Sequence, residues 1–151
     1  MDERLPDGSI DPGYHGTLIA NHEVSAVTAA CALMRSDAFQ RIGGFDEAIA
    51  VGFGDVDLCL RTREAGYRIM FCPHASLIHH ESYTRGKSHE DPHPEDSALF
   101  AKRWRKFLDQ GDPYYNPNLA THSTKWDIRL PMEFNPHIRR RVTHRLPLAK
   151  I

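Results

Sequence analysis

The chain has 151 residues, which suits one domain with a modest core. Hydrophobic residues make up 40% and charged ones 26%, an ordinary globular balance that excludes wholesale disorder. Nineteen Lys and Arg face 20 Asp and Glu, a formal net charge of −1, so no global field recruits nucleic acid or anionic lipid.

Residues 1–23 are rich in Gly, Pro and Asp and read as a linker arriving from something upstream. "VSAVTAACALMR", residues 24–35, is nearly unbroken in its apolar character and predicts a strand buried on both faces. Ser36 is placed to cap a short helix, "DAFQRI", with Gly43 just past its end. "GGFDEAIAVGFG" is then a glycine-punctuated connection with two aromatic anchors. Asp55 is expected to cap a second helix, with Val56, Cys59 and Leu60 on one face and Gly66 as its stop. "YRIMFC" and "ASLIHH" read as short strands on either side of Pro73, followed by a polar loop over 81–95. Phe100, Trp104, Phe107 and Leu108 predict a third helix ending at Gly111, with Trp104 in the core rather than serving as a sugar platform.

The tail from residue 111 is turn-rich and extended, and its cationic end, "HIRRRVTHRLPLAK", reads as a solvated terminus. Three cysteines without a Cys-x-x-Cys pair give neither a disulfide framework nor a zinc ribbon. Cys31, Cys59 and Cys72 each lie in an apolar run, as small hydrophobes in a reducing cytoplasm would. With no signal-peptide pattern and no apolar run near the ~18 residues that a membrane span needs, a cytoplasmic chain, at most peripheral to the inner membrane, is expected.

The order of elements is α/β, with too few strands for a self-sufficient nucleotide-binding sheet and no Gly-rich phosphate loop. Four segments occur in order: the "TAACALMR" stretch, "GGFDE", "DVDLCLR" leading to "GYRI", and "PHA" leading to "IHHES". Together they resemble the C-terminal half of the catalytic domain of family 2 glycosyltransferases, over roughly residues 24–86. A looser likeness to bacterial surface-polysaccharide members continues through "RWRKFLDQGDPYYNPNL".

The resemblance implies a partial GT-A (Rossmann-like) domain, the acceptor-side half, with a mixed sheet and flanking helices over residues 24–110. It implies transfer of a sugar from a nucleotide-sugar donor to a saccharide hydroxyl with inversion. Such a reaction needs a carboxylate to accept the hydroxyl proton and positive charge at the leaving diphosphate, commonly a divalent cation. Asp55 matches the aspartate of the family's Glu-Asp motif and is expected to be the general base; Gly54 stands where many members carry glutamate.

Asp57 completes a tempting "DVD", but the family's metal-binding DxD lies well upstream of the "GGFDE" segment. Asp57 is therefore expected in the first turn of the helix, favoured by its dipole and paired with Arg61. His79 matches a histidine that can ligate the cation, and imidazole suits Mn²⁺ better than Mg²⁺. His80 is expected on the opposite face and His74 in a turn. Arg85 and Lys87 in "ESYTRGK" are expected to meet the diphosphate, or else to form a solvated basic loop. Asp46 is expected either to touch the acceptor or to hold the glycine turn.

Because the donor pocket belongs to the missing N-terminal half, the chain is expected to be inactive alone. The alternative is a non-catalytic association module on the same scaffold, with a homodimer as its sign. Nucleic-acid binding by the basic tail lacks the interleaved aromatic surface it would need.

Overall fold

The computed structural model describes Ser9 and residues 11–77, 93–120 and 127–129. They fall into two units, Met1–Tyr114 and Tyr115–Ile151. In the first, short strands β1 (His22–Val24) and β2 (Ile69–Phe71) pair antiparallel, with His22 opposite Phe71 and Val24 opposite Ile69. Helices α1 (Ser36–Arg41), α2 (Gly54–Glu64), α3 (Pro94–Arg103) and α4 (Arg105–Gln110) accompany them. The architecture is α/β, but among the described residues the sheet is this one antiparallel pair rather than a mixed sheet.

The buried strand expected over 24–35 does not form. Pairing ends at Val24, and the run continues through a 3₁₀ turn, Ala29–Cys31, with Leu33 fully exposed. Apolar composition makes a two-faced strand only where neighbouring strands and a covering layer exist, and β1 has one described neighbour. Cys31 and Cys72 are accordingly exposed, against expectation, while Cys59 is buried and its thiol donates to the Val27 carbonyl.

The helix stops fall where glycine is needed. After α1 the Gly44 N–H reaches Phe39 O at 2.9 Å and Gly43 takes φ 81°. After α2 the Tyr67 N–H reaches Thr62 O at 3.2 Å and Gly66 takes φ 89°. Both are the paired closing bonds of a left-handed helix end.

The starts differ from expectation by one residue. Ser36 is the first helical residue of α1 rather than its cap, and α2 begins at Gly54, so Asp55 sits inside the first turn. The residue that caps α2 is Phe53, at φ 64°, without a side-chain cap bond.

The third expected helix is two. At Trp104 (φ −100°, ψ 21°) the axis breaks between α3 and α4, although Trp104 still donates to Phe100 O and Leu108 to Trp104 O. The core is the cluster Ile49, Leu60, Phe100 and Trp104, with Val56, Leu99 and Phe107 against it. It joins α2 to α3 and α4, and Trp104 occupies the core as its spacing predicts.

Around β1, Ser25 Oγ donates to Asp112 and accepts from Arg63, whose guanidinium lies 5.0 Å over the Tyr114 ring. In the second unit a bridge pairs Leu119 with Ile128, and Tyr115 Oη donates to Ala120 O at 2.7 Å.

Candidate active site

The two aspartates at the start of α2 have opposite surroundings. Asp57 is fully buried. Its Oδ2 accepts from Arg61 Nε at 2.7 Å, and its Oδ1 from Arg103 Nη1 at 2.8 Å and Trp104 Nε1 at 2.9 Å. Burial pushes this carboxyl up, yet the bonds from Arg103, Trp104 and Arg61 outweigh burial and hold it below the usual carboxylate range. A buried charge with this many donors is a structural hub.

Both arginines extend the hub. Arg61 also donates to the carbonyls of Ile42 and Gly44, at 2.8 and 2.7 Å, gripping the turn that follows α1. Arg103 also donates to Asp46 Oδ2 at 2.6 Å. Asp46 Oδ1 in turn accepts from the Ala48 N–H at 2.9 Å, and these partners, the amide first, hold its carboxyl low. Of the two roles open to Asp46, these bonds describe the turn; an acceptor would have to share its oxygens with Arg103.

Asp55 lies two residues back and is half-buried. Its Oδ2 accepts from the Ala29 N–H at 3.1 Å and its Oδ1 from the Val56 N–H at 2.9 Å. Among the described residues its bonds are thus to backbone amides. A carboxylate has about four acceptor sites, so Asp55 keeps capacity for a hydroxyl. The 3₁₀ turn at Ala29 and the first turn of α2 fix its position from two directions.

Helix α3 holds the loop in front of Asp55. Asp96 Oδ2 accepts from the N–H groups of Val51 and Gly52 at 2.8 and 2.7 Å, and these amides, Gly52 first, hold its carboxyl low. Phe100 stacks on Phe53, with ring centroids 4.8 Å apart and planes 18° from parallel. One face of α3, continued at Trp104, therefore grips residues 51, 52, 53 and 57 on either side of Asp55.

His79, His80, Arg85 and Lys87 lie outside the described residues. His74 is exposed in a turn closed by the Ala75 N–H on Cys72 O. Among the described residues no group of three or more His, Cys, Asp or Glu side chains could hold a metal ion. Asp57, half of the "DVD", has its oxygens turned to two arginines and an indole.

Sequence reasoning anticipated the Asp57–Arg61 pair, which is a fixed spacing on one helix. It missed Arg103, Asp96 and Phe53. Arg103 could have been suspected, since Asp96, Phe100 and Arg103 share the helical stripe that continues to Trp104.

Several known proteins are similar to this chain. It is 42% identical over 127 residues to the uncharacterized protein y4gI of Sinorhizobium fredii, covering 79% of this chain and 14% of that protein. Against the O-antigen biosynthesis protein RfbC of Myxococcus xanthus it is 39% identical over 128 residues, 83% of this chain and 10% of that one. Against the N-acetylglucosaminyl-diphospho-decaprenol L-rhamnosyltransferase of Mycobacterium tuberculosis it is 34% identical over 80 residues, 51% of this chain and 26% of that one. The chain thus matches about a quarter or less of the length of each of these relatives. No family model matches it, and no solved structure does. Relatives named for sugar transfer and O-antigen biosynthesis support a glycosyltransferase family for this chain. Among the described residues no helix is long and apolar enough to cross a membrane.

Proposed function

We propose that this chain is the acceptor-side half of an inverting family 2 glycosyltransferase domain of GT-A fold, with Asp55 as its general base. In the reaction an acceptor hydroxyl oxygen attacks the anomeric carbon of a nucleotide sugar. The bond from that carbon to the diphosphate breaks, its electron pair leaves with the diphosphate, and the hydroxyl proton passes to the Asp55 carboxylate. A positioned base of this kind contributes about 10²–10⁴-fold in rate.

The observation that carries the reading is the contrast within Asp55-Val56-Asp57. The second aspartate is buried and spent on Arg61, Arg103 and Trp104. The first is half-buried, held by backbone amides, and retains acceptor capacity.

A divalent cation, Mn²⁺ or Mg²⁺, belongs to the reading as the charge that steadies the departing diphosphate. His79 is its proposed ligand from this chain, with Arg85 and Lys87 as proposed diphosphate contacts. The donor's nucleoside pocket and the upstream DxD carboxylates are assigned to a further half of the domain. The reading puts the reaction in the cytoplasm, at most peripheral to the inner membrane, with a saccharide as acceptor.

A mass-resolved transfer assay tests this. The chain alone is expected to give no product from nucleotide sugars, and the chain joined to a donor-binding half is expected to give product. Transfer by the chain alone would overturn the division into halves, and no transfer by the joined protein would overturn the enzyme reading.

A further inference from the structure

Phe53 is held in a costly conformation with its ring half in solvent. Its φ of 64° is one of two positive values among the described non-glycine residues. A bulky side chain in that region is a true outlier, and such strain persists only where the surroundings enforce it. The surroundings here are specific. Asp96 fixes the two preceding amides, Phe53 O accepts the Asp57 N–H at 2.9 Å, and Phe100 stacks on the ring.

The enforced ring is nevertheless 46% exposed. A second half-exposed aromatic residue lies by the same turn: a Cβ on Gly54 would lie 3.9 Å from Phe45 Cδ1, and Phe45, whose ring meets Phe39 edge-on, is 49% exposed. Gly54 thus separates two aromatic rings and is followed directly by Asp55.

Single exposed apolar side chains need no explanation. An aromatic one that is immobilised, strained and two residues from a carboxylate with spare acceptor capacity is a preorganised binding feature. The ligand chemistry follows from the pair. A pyranose ring has a flat C–H face that suits an aromatic ring and an equatorial rim of hydroxyls that suits a carboxylate. A peptide or lipid chain would use the rings but leave Asp55 without a donor.

From this arrangement we infer that Phe53 is an acceptor-binding residue, the platform on which the acceptor sugar ring stacks with one hydroxyl turned to Asp55. The inference rests on the transferase reading above and adds the site of the acceptor ring. Phe45 borders the platform, and α3 sets its orientation through Asp96 and Phe100.

The test is NMR titration of this chain with methyl N-acetyl-β-D-glucosaminide and methyl α-L-rhamnoside, the sugars named among its relatives, with 1-butanol as an apolar control. Phe53→Gly removes the ring while suiting the left-handed backbone, and Phe53→Trp restores an aromatic face. At least one glycoside is expected to saturate the parent and to shift the Gly54 and Asp55 amides. Phe53→Gly is expected to weaken it by about twofold to tenfold, the range of one aromatic contact, and Phe53→Trp to retain it. Glycoside binding that is equal in the parent and Phe53→Gly would overturn the platform and leave the transferase reading standing. Binding of neither glycoside, with or without butanol, would also overturn the platform, and the transfer assay decides the transferase reading separately.

Discussion

Arg103 and Asp57 are 46 residues apart in sequence and 2.8 Å apart in space, and the second arm of the same guanidinium reaches Asp46 at 2.6 Å. One side chain of α3 therefore ties α2 to the turn after α1. Removing the acceptor would leave one N–H each of Arg61 and Arg103, and the indole N–H of Trp104, without their buried partner. Asp57→Ala is expected to destabilise the chain by about 3 kcal/mol, the scale of a broken buried ion pair. Urea denaturation would show this as a lower midpoint with an unchanged slope; an unchanged midpoint would remove the hub.

The same hub gives stability a defined pH dependence. Asp57, Asp46 and Asp96 all hold their carboxyl groups below the ordinary range. For a group whose folded value is depressed, the stability is complete above the unfolded value, about 3.9 for aspartate. It is lost as pH falls through the folded value, because the unfolded chain then binds more protons. The contribution of these groups is expected to be level from about pH 7 to 5 and to fall below about pH 4. Asp57→Asn should flatten part of that fall. A variant curve parallel to the parent's would contradict this.

Asp96 is expected to govern the loop before Asp55. Asp96→Ala deletes the acceptor of two amides. Hydrogen exchange at Val51 and Gly52 should quicken by about fivefold or more, while exchange at Ile69 in β2 should not. Uniform acceleration at all three would mean global destabilisation rather than a local clamp.

The metal assignment separates two candidates in this chain. By calorimetry, Mn²⁺ with UDP is expected to bind the parent joined to a donor-binding half. His79→Ala should weaken that binding by about 10-fold or more, the scale of a disturbed metal ligand, and Asp57→Asn should not change it at neutral pH. Loss in Asp57→Asn without loss of fold would return the ion to the "DVD" pair.

What was legible in the sequence follows from how far each interaction reaches. The stops at Gly43, Gly66 and Gly111 were readable because a helix end is decided within a few residues. Trp104 in the core and the Asp57–Arg61 pair came from helical spacing. The strand over 24–35 failed because pairing ends at Val24 and β1 has one neighbour among the described residues, which composition does not reveal. Arg103 on Asp57 and Asp96 on the Val51 and Gly52 amides join segments more than 40 residues apart, beyond any local period. Phe53 at φ 64° between two glycines was hidden for another reason. Glycine would ordinarily take such a position, and here tertiary clamps force a phenylalanine into it.

The division of labour between the two aspartates is tested most directly by Asp55→Asn in the protein joined to its donor-binding half, measuring kcat for sugar transfer beside the urea midpoint. A kcat about 10²–10⁴-fold lower with the midpoint unchanged is the expected outcome for a lost general base. Parent-level turnover in Asp55→Asn would contradict it, as would a loss that merely follows unfolding.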